Sequence, residues 1–187
     1  NRHGEEKSAG RGNFAPVTIN LPKIALKKKD TGMFLKELDH TLELCASQLM
    51  HRFELISKLK VKDLPFLMGQ KLYMGSEKLS GVDGIREAIK NATLAIGFIG
   101  LAETLIVLTG KHHGESQESW ELGYKIIDRM RKATDEFSER YDLNFTCYAT
   151  PAEGTCGRFL EKDKKSFGEI PGVTDKAYYT NSYHIPV

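Results

Sequence analysis

Apolar residues recur at steps of three and four along one stretch of the chain: Leu35, Leu38, Leu42, Cys45, Leu49, Phe53 and Ile56. That period is helical, and the stripe predicts a long helix opening at Thr31 or Gly32 and running to about Leu59. A second long helix is predicted from Ser116 or Ser119, with Trp120, Tyr124, Ile127, Met130, Thr134 and Phe137 as its inward stripe. Glu118, Glu121, Asp128, Arg129 and Arg131 occupy its wet side. Three runs follow strand patterns instead. Residues 14–21 alternate Val17, Ile19 and Leu21 against Thr18 and Asn20, and Pro22 ends the run. Residues 92–99, apolar but for Thr93, read as a fully buried strand, and residues 143–149 are rich in aromatic and strand-favouring side chains.

Shorter helices are predicted at 83–90 with Asp83 as N-cap, at 101–108, and from Thr155 to about Lys165. Residues 27–30 read as a solvated charge run, residues 60–82 as mixed text punctuated by Pro65, Gly69, Gly75 and Gly81, and residues 178–184 as an aromatic-rich extended segment. Strands alternating with helices indicate the α/β class.

Composition narrows the picture. With 187 residues, 40% hydrophobic and 28% charged, the chain fits one globular domain with a real core. The 27 basic and 25 acidic residues are interspersed, for a net charge of +2, so no nucleic acid or anionic membrane is implied and a small-molecule ligand is the default. Three cysteines in no metal-ligand spacing argue against a disulfide framework and for a reducing compartment. Without a leader or a long apolar run, the expectation is a cytoplasmic protein. Both ends break off within loop-like or strand-like text, as if cut from a longer protein.

Two loops carry candidate chemistry. Thr150-Pro151-Ala152-Glu153-Gly154-Thr155 joins a predicted strand to a predicted helix. It reads either as an anion cradle built from free backbone N–H groups or as an ordinary capped connection. Residues 8–13, Ser-Ala-Gly-Arg-Gly-Asn, read either as a solvated arm or as a glycine-flanked loop offering Arg11 and Asn13 to a polar ligand. Glu103 lies in very apolar surroundings, where a carboxylate must be paired or protonated. It is either an active-site acid or a satisfied structural contact. Adjacent His112 and His113 are a weak metal signal, and no metal site is assigned.

Together these motifs carry a resemblance. The chain resembles the catalytic subunit of anaerobic, glycyl-radical (class III) ribonucleoside-triphosphate reductases over essentially its whole length. The residues that carry it are those at 8–13 with Thr18-Ile19-Asn20-Leu21-Pro22, the run from Ile96 to Glu103, Thr109 to Glu115, Thr150 to Gly154 with Gly157-Arg158-Phe159, and Gly172 to Asp175 with Tyr179 to Ser182.

The resemblance implies that residues 1–187 are a partial catalytic domain belonging to a ten-stranded α/β barrel around a finger loop. It places the radical cysteine before Asn1, and the glycyl-radical loop with its zinc-binding cysteines beyond Val187, so no cysteine of this chain is assigned to catalysis. Asn13 matches the family's active-site asparagine. Gly10, Arg11 and residues 150–155 match the substrate-binding positions, with Glu153 bracing backbone rather than meeting phosphate. The implied reaction is reduction of a ribonucleoside triphosphate to its 2′-deoxy form for DNA synthesis. Formate, as in many members, or else a thiol system is the implied reductant, with a radical-SAM activating enzyme and a homodimeric partner acting on the full-length protein. Two other readings remain at this point: a glycyl-radical enzyme acting on a small non-nucleotide substrate, and a non-catalytic nucleotide-binding module.

Overall fold

The computed structural model describes residues 9–184; most of the polar arm read at the amino end falls outside the described residues. β1 (Asn13–Asn20) leads directly into α1 (Leu21–Lys28) and then α2 (Thr31–Ile56). After two short 3-10 turns come α3 (Arg86–Ile89), β2 (Thr93–Ile99), α4 (Leu101–Thr109), α5 (Gln117–Tyr141), β3 (Asn144–Ala149) and α6 (Glu153–Phe167).

The strands lie side by side in the order β1-β2-β3. Thr93 N, at the head of β2, donates to Gly12 O just before β1 at 3.1 Å, and Thr150 N, just after β3, donates to Phe98 O near the end of β2 at 3.1 Å. Starts pair with starts and ends with ends, so the sheet is parallel. The connections between strands are helical crossovers, as parallel pairing requires. The α/β class read from the sequence is therefore the class observed.

The chain divides into two compact units, Asn1–Val17 with Leu44–Ile96 and Lys132–Cys147, and Thr18–Glu43 with Gly97–Arg131 and Tyr148–Val187. In the first, Phe14 meets Phe53 edge-on and Phe137 meets Phe145 likewise, each at 5.8 Å between ring centroids. In the second, Leu26, Ile99, Cys156, Leu160, Val173 and Tyr179 form a buried cluster. Burying each large apolar side chain contributes about 1.5–3 kcal/mol.

The stripe of α2 is buried from Leu35 through Phe53, as its period predicts. Four expectations are corrected. Pro22 does not merely end a strand: it sits in the first turn of α1, whose N-cap Asn20 accepts from Lys23 N at 3.1 Å. Proline is tolerated there because the first N–H groups of a helix have no partner within it. Lys27 and Lys28 thus belong to the last turn of α1, which closes on Lys29 in the left-handed region at φ 53°.

Asp83 does not cap α3. Its carboxylate accepts from Ser80 N and Oγ at 2.8 and 2.9 Å, while Val61 N bonds Asp83 O and Ile85 N bonds Leu59 O. The backbone around Asp83 is thereby tied to residues 59–61 instead of entering the helix.

On α5 the predicted inward stripe is rotated in the first turns. Trp120 and Tyr124 are 51% and 64% exposed and stack on each other, whereas Ser119, Ile126, Met130 and Phe137 are buried. Gly123 shares the buried face, because a Cβ there would lie 3.2 Å from Leu105 Cδ1. Close helix packing selects small residues, which a hydrophobicity pattern overlooks. Finally, residues 178–184 are not extended throughout: Asn181 N donates to His184 O at 3.1 Å and closes a turn. Gly100 N donates to Thr180 O at 2.8 Å, so this segment bonds to the head of α4 rather than to the sheet.

Candidate functional site

The candidate residues fall into two sets. In the first unit, Gly10 and Gly12 have φ of 78° and 66°, conformations that favour glycine, and Gly10 O accepts from Met74 N at 2.8 Å. Arg11 is buried, and its Nε donates to Asn91 O at 3.3 Å. The same carbonyl accepts from Asn144 Nδ2 at 3.2 Å, and Asn91 Nδ2 reaches Met74 O at 3.1 Å. Asn91 is therefore a hub that the sequence reading missed. Asn13 opens β1 and is exposed.

The second set gathers where β3 ends. Thr150 is buried; its N–H goes to Phe98 O and its hydroxyl lies 3.2 Å from that of Thr18. It passes so close to β2 that a Cβ on Gly97 would fall 1.9 Å from Thr150 Oγ1. Thr150 thus fixes the turn from beneath. Pro151, Glu153 and Gly154 are exposed, with Ala152 and Thr155 half-buried.

Ala152 occupies the N-cap of α6 and provides no side-chain cap. Its carbonyl accepts from Thr155 N at 3.0 Å, Cys156 N at 3.2 Å and Cys156 Sγ at 3.3 Å. Above Gly154 an added Cβ meets nothing within 4 Å. Among the described residues no backbone N–H reaches the Glu153 carboxylate. The head of α6 therefore carries the positive end of a 15-residue helix with an open approach.

Glu103, fully buried in the first turn of α4, is paired. It accepts from Thr180 N at 3.1 Å and Thr180 Oγ1 at 2.7 Å, and Lys176 Nζ lies 2.5 Å from it. This is the satisfied structural contact of the two sequence alternatives. Beside it, a cavity of about 150 Å³ opens at the ends of β2 and β3, lined by Phe98, Leu101, Ala149, His113, Asn181 and His184. Among the described residues, Nδ1 of His113 and Nδ1 of His184 are buried and find no hydrogen-bond partner. Burial, helped by the neighbouring His112, holds the His113 imidazole below its usual pKa.

Burial also pushes the thiols of Cys45 and Cys147 up to about 11 and raises that of Cys156. All three stay protonated near neutral pH, the opposite of an activated nucleophile. Asp163, also buried, accepts from Asn20 Nδ2 at 2.7 Å and Tyr179 OH at 3.0 Å, tying α6 to the β1–α1 junction. Among the described residues no group of three or more His, Cys, Asp or Glu side chains could hold a metal ion, and no helix is long and apolar enough to cross a membrane.

Solved structures share this fold. One anaerobic ribonucleotide reductase superimposes with a TM-score of 0.72 at 21% identity, covering 95% of this chain and 26% of the other. The Thermotoga maritima anaerobic ribonucleotide reductase in complex with dATP and CTP gives 0.72 at 22% identity, covering 95% and 28%. At these identities the likeness establishes the architecture: an α/β segment matching part of an anaerobic ribonucleotide reductase.

The sequence comparison goes further. The anaerobic ribonucleoside-triphosphate reductase of Escherichia coli (strain K12) is 38% identical over 194 residues, spanning 100% of this chain and 26% of that protein. The enzyme of enterobacteria phage T4 is 32% identical over 191 residues, spanning 98% and 30%. The profile of the family described as anaerobic ribonucleoside-triphosphate reductase matches residues 1–187. The chain belongs to that family and spans little more than a quarter of the length of these curated relatives.

Proposed function

We propose that this chain is the part of an anaerobic ribonucleoside-triphosphate reductase that seats the substrate's triphosphate and carries one amide of its reaction site. The observation that supports the reading best is the head of α6 in a chain of this family. It is a helix start without a side-chain cap, directly after a parallel strand, with open space over Gly154. Free N–H groups and the helix dipole hold phosphoryl oxygens there. Pro151, Ala152, Glu153, Gly154 and Thr155 form the seat, and Thr150 sets its height. Glu153 is exposed, so solvent screens its carboxylate from a triphosphate that it would otherwise repel.

Gly10 and Arg11 shape the turn that presents Asn13, whose amide both donates and accepts, and so meets a ribose hydroxyl without adding charge. In this reading residues 1–187 are one part of a ten-stranded catalytic barrel in a cytoplasmic, homodimeric enzyme. The radical cysteine, the glycyl radical, the zinc site and contact with the radical-SAM activating enzyme belong to the full-length protein. The reductant is formate or a thiol system, and the isolated chain does not turn over.

Two variants of the full-length protein test the assignment. Gly154→Leu occupies open space, so the fold is kept. Binding of a ribonucleoside triphosphate weakens roughly tenfold or more, about the worth of one charge-assisted hydrogen bond, while nucleoside binding is unchanged. Equal loss for both ligands removes the phosphate role. Asn13→Ala leaves triphosphate binding nearly intact and lowers kcat by roughly a hundredfold or more, the scale of a lost polar group at a reacting centre. Unchanged turnover removes Asn13 from the reaction.

A further inference from the structure

We infer that Asn181 is a positioning residue for the phosphate seat, acting through the Pro151 carbonyl and the Cys156 thiol. The inference rests on residues 150–155 being that seat. Every hydrogen-bonding position of the Asn181 amide is taken. Oδ1 accepts from Tyr183 N at 2.9 Å and His184 N at 2.7 Å, and Nδ2 donates to Cys156 Sγ at 3.1 Å and Pro151 O at 3.5 Å. Only one orientation of the amide satisfies two donors on one side and two acceptors on the other.

Its backbone is held as well. Asn181 N donates to His184 O at 3.1 Å, and the preceding Thr180 is locked by Glu103 and Gly100 N. The amide therefore reaches the turn from a fixed support.

The consequence lies in the orientation of the peptides. In a planar trans peptide the C=O and N–H point in opposite directions. Pro151 O faces Asn181 Nδ2 across 3.5 Å, so Ala152 N–H points away from Asn181. Cys156 Sγ, itself held by Asn181, donates to Ala152 O and joins the bonds from Thr155 N and Cys156 N. With that carbonyl held inside the helix head, Glu153 N–H points outward. Asn181 thus holds directly, and through one thiol, the carbonyls of the two peptides whose N–H groups face an incoming anion. Neither Asn181 nor Cys156 needs to touch the ligand.

The test uses the full-length enzyme with CTP and cytidine as probes. Asn181→Asp keeps the shape, removes both donors and sets a carboxylate beside the Pro151 carbonyl. It raises the KM for CTP about tenfold, with kcat within twofold and cytidine binding unchanged. Cys156→Ala, which cuts the link to Ala152 O, raises the KM several-fold, and Cys156→Ser, which restores a donor and acceptor, returns it toward wild type. Should Asn181→Asp fail to fold, the Cys156 pair decides alone. A KM unmoved by Asn181→Asp or by Cys156→Ala, equal loss for CTP and cytidine, or no difference between the alanine and serine variants overturns the inference. Wild-type enzyme that binds CTP no better than cytidine instead overturns the phosphate seat itself.

Discussion

Glu103→Ala lowers the unfolding free energy by about 3–5 kcal/mol, the scale of breaking a buried ion pair from one side. The carboxylate is fully buried and is the acceptor for both Thr180 N and Thr180 Oγ1. Removing it strands two buried donors, each costing about 1–3 kcal/mol when left without a partner. Lys176 adds less, because its side chain is 35% exposed and rehydrates. Glu103→Gln keeps the volume and one acceptor oxygen, so its cost is smaller, about 1–2 kcal/mol. Urea unfolding of the two variants checks the order. An alanine variant within about 1 kcal/mol of wild type contradicts the view that Glu103 anchors residues 176–180.

Gly97→Ala has the second largest effect, a loss of about 3 kcal/mol, at the upper end of ordinary overpacking. An added Cβ lands 1.9 Å from Thr150 Oγ1 and 2.9 Å from Tyr148 Cε1. Thr150 cannot yield cheaply, since it is buried and hydrogen-bonded through its backbone to β2. The Thr150 side chain must leave its place beside Thr18, and the turn above it moves. Adding Thr150→Ala removes the closest atom and recovers part of the loss, although Thr150 Cβ, at 3.2 Å, remains tight. Thermal unfolding of the single and double variants measures this coupling. A single variant as stable as wild type contradicts the close approach of β2 to the turn.

That the sheet is parallel was not read, but the strands and the long helices were legible because burial imposes a period of two on β1, an almost wholly apolar run on β2, and steps of three and four on the helices. The stripe from Leu35 to Phe53 carries that signal without interruption. Pro22 hid α1, since proline ends a strand and starts a helix equally well. The first turns of α5 were misread because Trp120 and Tyr124 look like core, while the residues that pack there, Ser119 and Gly123, owe their place to small size.

The loop at 150–155 stood out through its own residue types. Its supports did not: Asn181 lies 30 residues from Pro151, and Asn144 and Arg11, two of the partners of Asn91, are 53 and 80 residues from it. Amide hydrogen bonds of such range leave no local pattern. The motif order pointed to the family, but the two sets of candidate residues lie in different compact units of the chain.

The central claim is that residues 150–155 seat the phosphates of a ribonucleoside triphosphate. Calorimetric titration of the full-length protein with CTP and with cytidine tests it most directly. The account predicts that CTP binds at least a hundredfold more tightly, roughly the worth of one to two charge-assisted hydrogen bonds, and that Gly154→Leu removes most of that difference. Equal affinity for CTP and cytidine contradicts it.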